Sequence, residues 1–102
     1  MATETATEYV VECLWPDVHE SDLQGLDLRA SEQAERLTAH GHPVGYLGSL
    51  LMREDEVVLC MFRGELETVR QVAVAADIPF ERILETARSP WDMPSKEMPE
   101  GL

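Results

Sequence analysis

Basic residues are scarce in this sequence. It holds 8 Lys and Arg against 20 Asp and Glu, so the formal net charge of the 102 residues is −12. Nucleic acids and anionic membrane surfaces are bound by an excess of Lys and Arg, and this balance therefore argues against both partners. No hydrophobic run approaches the ~20 residues of a membrane-spanning helix. With 44% hydrophobic residues, the chain is expected to form one globular domain.

Sequence motifs of the common enzyme classes are also missing. There is no Gly-rich phosphate loop, no Cys-x-x-Cys, no His-Glu-x-x-His and no Gly-x-Ser-x-Gly. The first residues have neither the basic nor the apolar stretch of a signal peptide, so a cytoplasmic location is expected. In that compartment Cys13 and Cys60 are predicted to be free thiols.

The hydrophobic pattern predicts six elements in the order β-α-β-β-α-β. Helical spacing of apolar residues predicts helices over 22–40 and 66–76. Ser21 and Gln24 have the form of a capping box, and Gly41 is typical of a helix C-terminus. Extended apolar segments predict strands over 9–15, 44–53, 57–62 and 80–86. Residues 8–87 thus form the domain, between an arm (1–7) and a Pro-rich tail (88–102).

This order predicts a ferredoxin-like α+β fold, in which both helices cover one face of a four-stranded antiparallel sheet. In the third strand both sets of alternating side chains are apolar, and the second strand is similar. A face exposed to solvent would be polar at alternate positions. We therefore expect a homodimer, a dimeric α/β barrel, in which a second copy covers the open face. The alternative is a monomer covered by its own segment around Trp91.

Glu12 is the one ionisable side chain in the middle of the first strand. The alternate set of side chains in this strand, to which Glu12 does not belong, is apolar and suits the face covered by the helices. Glu12 is therefore predicted to point to the open face, the sheet surface turned away from the helices. We place Cys60 on the same face and predict a ligand pocket of Glu12, Tyr46, Cys60 and Glu85. There Glu12 would be an acid or base, and Cys60 a thiolate ligand. The alternative is that Cys60 is a buried hydrophobic residue and that Glu12 pairs with an arginine or with solvent.

The three histidines are the candidate metal ligands. His40 and His42 flank Gly41, and His19 lies elsewhere in the chain. Imidazole suits nickel, copper and zinc. The alternative for His40 is a favourable interaction with the dipole of the helix that ends there.

Four segments of the chain carry a family resemblance. They are Tyr9-Val10-Val11-Glu12 with Trp15-Pro16, Gly41-His42-Pro43-Val44, the third strand with its central Cys60, and Ala76-Asp77-Ile78-Pro79-Phe80-Glu81-Arg82-Ile83. Together they resemble a family of small bacterial ferredoxin-like proteins, formerly of unknown function and often labelled nickel-binding. The resemblance covers roughly residues 8–87. It implies a ferredoxin-like dimer and a divalent metal such as nickel, without assigning ligands.

Three hypotheses for the function follow. The first is a small cytoplasmic homodimeric protein that holds a divalent metal such as nickel. The second is a dimeric α/β-barrel enzyme, of the cofactor-independent isomerase, cyclase or oxygenase type, acting on a small apolar ligand with Glu12 as acid or base. The third is a protein-interaction module. Fold analogy alone does not choose among them.

Overall fold

The structure is a computed structural model that describes residues 7–89. The predictions for the arm at 1–6 and for the tail from 90 onward, Trp91 included, lie outside the described residues. The elements are β1 (Glu8–Leu14), α1 (Asp22–Ala39), β2 (Val44–Met52), β3 (Val57–Gly64), α2 (Leu66–Ala75) and β4 (Phe80–Thr86). Their order confirms the prediction, and each begins and ends close to its predicted bounds.

The four strands form one antiparallel sheet in the order β2-β3-β1-β4. With its two helices this is the predicted ferredoxin-like α+β fold. The central strand β1 pairs with both β3 and β4, so that Val11 lies opposite Cys60 on one side and Ile83 on the other. Of the helices in residues 7–89, none is both long and apolar enough to cross a membrane.

The core lies between the helices and one face of the sheet, which we call the helix face. Alternate residues of β1 and β3 supply its floor, because side chains in a strand point to opposite faces in turn. Helix α1 adds the stripe that its 3–4 residue spacing predicts, and α2 adds a second stripe. The fully buried residues include Val11, Cys13, Val58, Cys60, Phe62, Leu26, Ala30, Val69, Val72 and Ala73.

Helix α1 ends as the sequence predicts but begins differently. At its C-terminus Gly41 has a φ of +93°, and the N–H groups of Gly41 and His42 donate to the carbonyls of Thr38 and Leu37. This is the Schellman pattern that glycine favours. The predicted capping box is wrong, since the side chain of Ser21 makes no capping bond. Asp22 accepts a bond from the His19 N–H instead, at 2.8 Å.

Strand β2 contains a β-bulge that changes which residues share a face. Tyr46 lies opposite Phe62, but Gly48 lies opposite the next residue, Met61, so Leu47 is an extra residue. The φ of +123° at Gly48 suits glycine. Strict alternation along β2 would group Tyr46 with Leu50, but the bulge places them on opposite faces. Tyr46 lies on the helix face, because an inserted residue reverses the alternation.

Two leucines of α1 test this packing. Leu26 is fully buried, whereas Leu28 is 60% exposed. We expect Leu26→Ala to lower the free energy of unfolding by about 2–5 kcal/mol, because it removes buried contacts and leaves a cavity. Leu28→Ala, a matched change in the same helix, should alter it by less than about 0.5 kcal/mol. Urea unfolding measures both, and equal effects would contradict the described orientation of α1.

Candidate functional site

The predicted ligand pocket does not form, because its residues lie on different faces of the sheet. Glu12 is opposite Leu59, whereas Cys60 is opposite Val11 and belongs to the buried core. Tyr46 is also on the helix face, as a result of the bulge. Glu85 lies opposite Tyr9, on the parity of the helix face, and is exposed. The predicted grouping of Cys60, Tyr46 and Glu85 with Glu12 on one face is therefore wrong.

Glu12 does point to the open face, as predicted, and it has a partner there. Arg82 of β4, directly opposite in the register, donates its Nε–H to Glu12 Oε1. The bond raises the pKa of Arg82. Glu12 is 26% exposed and Arg82 63%, so this is a half-covered ion pair of the sheet surface. The alternative in which Glu12 pairs with an arginine is confirmed, and a catalytic role for Glu12 stays a prediction.

We use the name open face for the sheet surface turned away from the helices. Its apolar members are largely uncovered: Leu14 is 53% exposed, Leu50 54%, Met52 44% and Leu84 38%. Val10, Leu59 and Met61 lie between them, half-buried. The register places the following charged and large apolar residues on the open face: Glu8, Val10, Glu12, Leu14, Leu50, Met52, Val57, Leu59, Met61, Arg63, Arg82 and Leu84.

Every charged residue of the open face is paired within residues 7–89. Besides the pair of Glu12 with Arg82, Glu8 accepts bonds from Arg63 at 3.0 Å and Arg88 at 2.9 Å. The Arg63 bond, and after it the Arg88 bond, lowers the pKa of Glu8. With Arg88 included, this surface carries two acids and three bases, so it is nearly neutral in a chain whose net charge is −12.

A polar cluster that the sequence analysis missed lies on the other side of the sheet. Asp27 of α1 accepts hydrogen bonds from the Tyr46 hydroxyl and, at 2.8 Å, from the Ser49 hydroxyl, with all partners partly buried. Burial, and next the bond to Asp27, raises the pKa of Tyr46. A signal was present, because Asp27 stands beside Leu26 at the border of the apolar stripe, where a carboxylate needs partners.

The two cysteines are free and buried, as predicted. They lie on neighbouring strands of the helix face, where Cys13 is opposite Val58 and Cys60 is opposite Val11. The hydrogen bond with Cys13, and after it burial, raises the pKa of Cys60. Its complete burial agrees with the alternative in which Cys60 is a small hydrophobic residue of the core. A role for Cys60 as a thiolate ligand stays a prediction.

A groove of about 450 Å³ runs between the C-terminal half of α1 and the first residues of β2. The residues that line it are mostly small, and Glu35 is the charged one. Tyr46 is one of the lining residues, and its ring packs on that of Phe62 at 5.0 Å between centroids. The lining residues are Ser31, Ala34, Glu35, Thr38, Ala39, Val44, Gly45 and Tyr46.

The histidines do not assemble into a metal site. His19 precedes α1, while His40 and His42 follow its 18 residues, a helix length of about 27 Å. His40 Nδ1 lies 2.7 Å from the Arg36 carbonyl oxygen, so it donates there. Within residues 7–89 no group of three or more His, Cys, Asp and Glu side chains is placed to hold a metal ion. The grouping of His19 with the other two is wrong, and nickel binding stays a prediction of the resemblance.

Comparison with known proteins adds no function. No family model, curated protein or solved structure matches the chain. The features of the described residues that can carry a function are the open face, the Asp27 cluster and the groove beside it.

The Asp27 cluster predicts how Tyr46 titrates. The pKa of Tyr46 in the folded protein is raised above its value of about 10 in the unfolded chain. The stability that this difference contributes is therefore complete below about pH 10 and is lost as the pH rises further. We expect the tyrosinate absorbance of the native protein, minus that of Tyr46→Phe, to stay flat through pH ~10. The free energy of unfolding should fall at higher pH, less steeply in Tyr46→Phe. Ionisation of Tyr46 at the ordinary pH would contradict the buried bond to Asp27.

Proposed function

We propose that this chain functions as a homodimeric protein-interaction module in which the open faces of two copies pack together. The observation that carries the proposal is the large exposed fraction of Leu14, Leu50 and Met52 on the open face. Burial of such apolar surface is the main driving force of association. Soluble monomers rarely expose a continuous apolar patch of more than a few hundred Å².

The dimensions of the sheet suit a second sheet. Four strands of seven to nine residues span roughly 20 by 23 Å at ordinary strand spacing and rise, a flat footprint of about 450 Å². A standard interface buries about 800 Å² of accessible surface per partner, and a corrugated surface exposes more area than its footprint. Two sheets stacked about 10 Å apart interdigitate such side chains.

Charge favours a second copy as the occupant. Two chains of net charge −12 repel each other, and this repulsion is weakest where their facing surfaces are nearly neutral. The open face meets that condition. Because Glu8 and Glu12 already have arginine partners, covering the face leaves no unpaired charge, which would be strongly destabilising.

The proposal predicts that Leu50→Arg dissociates the dimer. An arginine at this position of the open face would be buried in the interface without a partner, so we expect the dissociation constant to rise at least about a hundredfold. Leu28→Arg, at an exposed position of α1, is the matched control and should leave the dimer intact. Light scattering with gel filtration of the full chain at micromolar concentration measures both.

Two outcomes would contradict this proposal. One is a monomeric mass for the parent protein. The other is a full chain that is monomeric but associates when residues 90–102 are deleted, since the occupant of the open face would then be the chain's own C-terminal segment.

Glu12→Gln distinguishes a contribution of the Glu12–Arg82 ion pair to the stability of the monomer from a contribution to the dimer. In the monomeric Leu50→Arg background it should change the free energy of unfolding by less than about 1 kcal/mol, because exposed ion pairs contribute little. In the dimer it would leave Arg82 covered and unpaired, so we expect the dissociation constant to rise by at least about tenfold. Glu32→Gln, at an exposed position of α1, is the control. A large loss of monomer stability would instead make Glu12 a structural anchor.

A further inference from the structure

The two edges of the sheet differ in chemistry. The edge strand β4 carries Glu81, Arg82 and Glu85, and charges of this kind protect an edge from pairing with another chain. The other edge strand, β2, has no charged residue in its nine positions, VGYLGSLLM, although 27% of the chain is charged. Its edge therefore lacks this protection.

Backbone groups at the start of β2 point outward from the edge of the sheet, away from β3. The N–H and the carbonyl of Val44 bond to the Thr38 hydroxyl, at 3.1 and 2.9 Å, and not to β3. The opposite residue, Gly64, donates its own N–H to Thr7, on the side of β1. In an antiparallel ladder alternate residues point the same way, so the N–H of Tyr46 also points outward, beside the groove.

The groove gives this edge a side-chain pocket. Small residues on α1, namely Ser31, Ala34 and Ala39, leave the space of about 450 Å³ along Val44–Tyr46. Glu35 supplies a carboxylate at its wall. At the far end of β2 the turn Glu54-Asp55-Glu56 adds three more acids. An uncharged edge is thus bordered by negative charge at both ends.

We propose that the edge of β2 and the α1–β2 groove bind an extended peptide segment that carries lysine or arginine. The peptide adds a strand beside Tyr46 and places alternate side chains in the groove, where a basic one reaches Glu35. Main-chain bonds would supply affinity and the pocket specificity, as in other cases of strand addition. A second copy of this acidic chain is less suited, because its own negative charge would approach Glu35. The inference does not depend on the homodimer.

The test uses fluorescein-labelled Val-Lys-Val-Thr-Val-Lys with an amidated C-terminus and the full-length protein. We expect saturable binding in fluorescence anisotropy, with chemical-shift changes at the Gly45 and Tyr46 amides. Methylating the backbone nitrogens of two alternate residues that face the edge should weaken binding about thirtyfold, since two ordinary hydrogen bonds are lost. A peptide with Glu in place of both Lys should bind more weakly still.

Matched protein variants locate the peptide. Glu35→Gln should weaken binding about two- to fivefold, as expected for an exposed ion pair, whereas Glu32→Gln, on the same helix outside the groove lining, should not. Ala39→Leu should fill the groove and weaken binding further. Leu84→Arg places a charge on the open face of β4, at the opposite edge of the sheet from β2. It should dissociate the dimer but bind the peptide like the parent, so that failure of the dimer proposal and failure of this one can be told apart.

Four results would overturn the inference. They are no binding at millimolar peptide, equal binding of the N-methylated peptide, shifts of the Gly45 and Tyr46 amides on dilution without peptide, and shifts of those amides when residues 90–102 are deleted. The first two exclude strand addition. The third would identify a second copy as the occupant, and the fourth the chain's own C-terminal segment.

Discussion

The alternation of side chains along β1 is the constraint on which the rest of this structure depends. Because β1 pairs with strands on both sides, each of its residues fixes the face of two neighbours. Val11 lies between Cys60 and Ile83 under the helices, while Glu12 lies between Leu59 and Arg82 on the open face. A register shift of one residue would turn Glu12 into the core and Val11 out of it. The apolar core and the Glu12–Arg82 pair therefore require the same register.

The order and type of the elements could be predicted because each rests on local pattern. The stripe of α1, the alternation of β3 and the glycine at the end of α1 all act within a few residues. Which residues of different strands share a face could not be predicted. The answer depends on the register between the strands and on the bulge at Leu47, and neither leaves a clear signal in the local sequence. Glu12 was placed on the correct face because its own strand has a polar and an apolar parity, whereas Cys60 sits in a strand that is apolar on both.

Asp27 shows a different limit of sequence reasoning. In the sequence it stands at the border of the apolar stripe of α1, but nothing there identifies the residues that it bonds to. In the fold it is partly buried and bonded to Tyr46 and Ser49, which come from a strand about twenty residues later. Burying a carboxylate is unfavourable unless hydrogen bonds compensate it, so the cluster fixes where α1 lies on β2. That position in turn sets the width of the groove that begins one helical turn further along α1.

The bulge in β2 lets one strand serve two surfaces. Before it, Val44, Gly45 and Tyr46 line the groove beside α1; after it, Leu50 and Met52 lie on the open face. Without the extra residue, Tyr46 would share a face with Leu50 and would lose both Asp27 and its contact with Phe62. An edge strand tolerates such an insertion because its outer side has no ladder to disrupt. The polar cluster, the groove and the apolar open face are thus compatible in one small sheet because Leu47 is unpaired and Gly48 can adopt a positive φ.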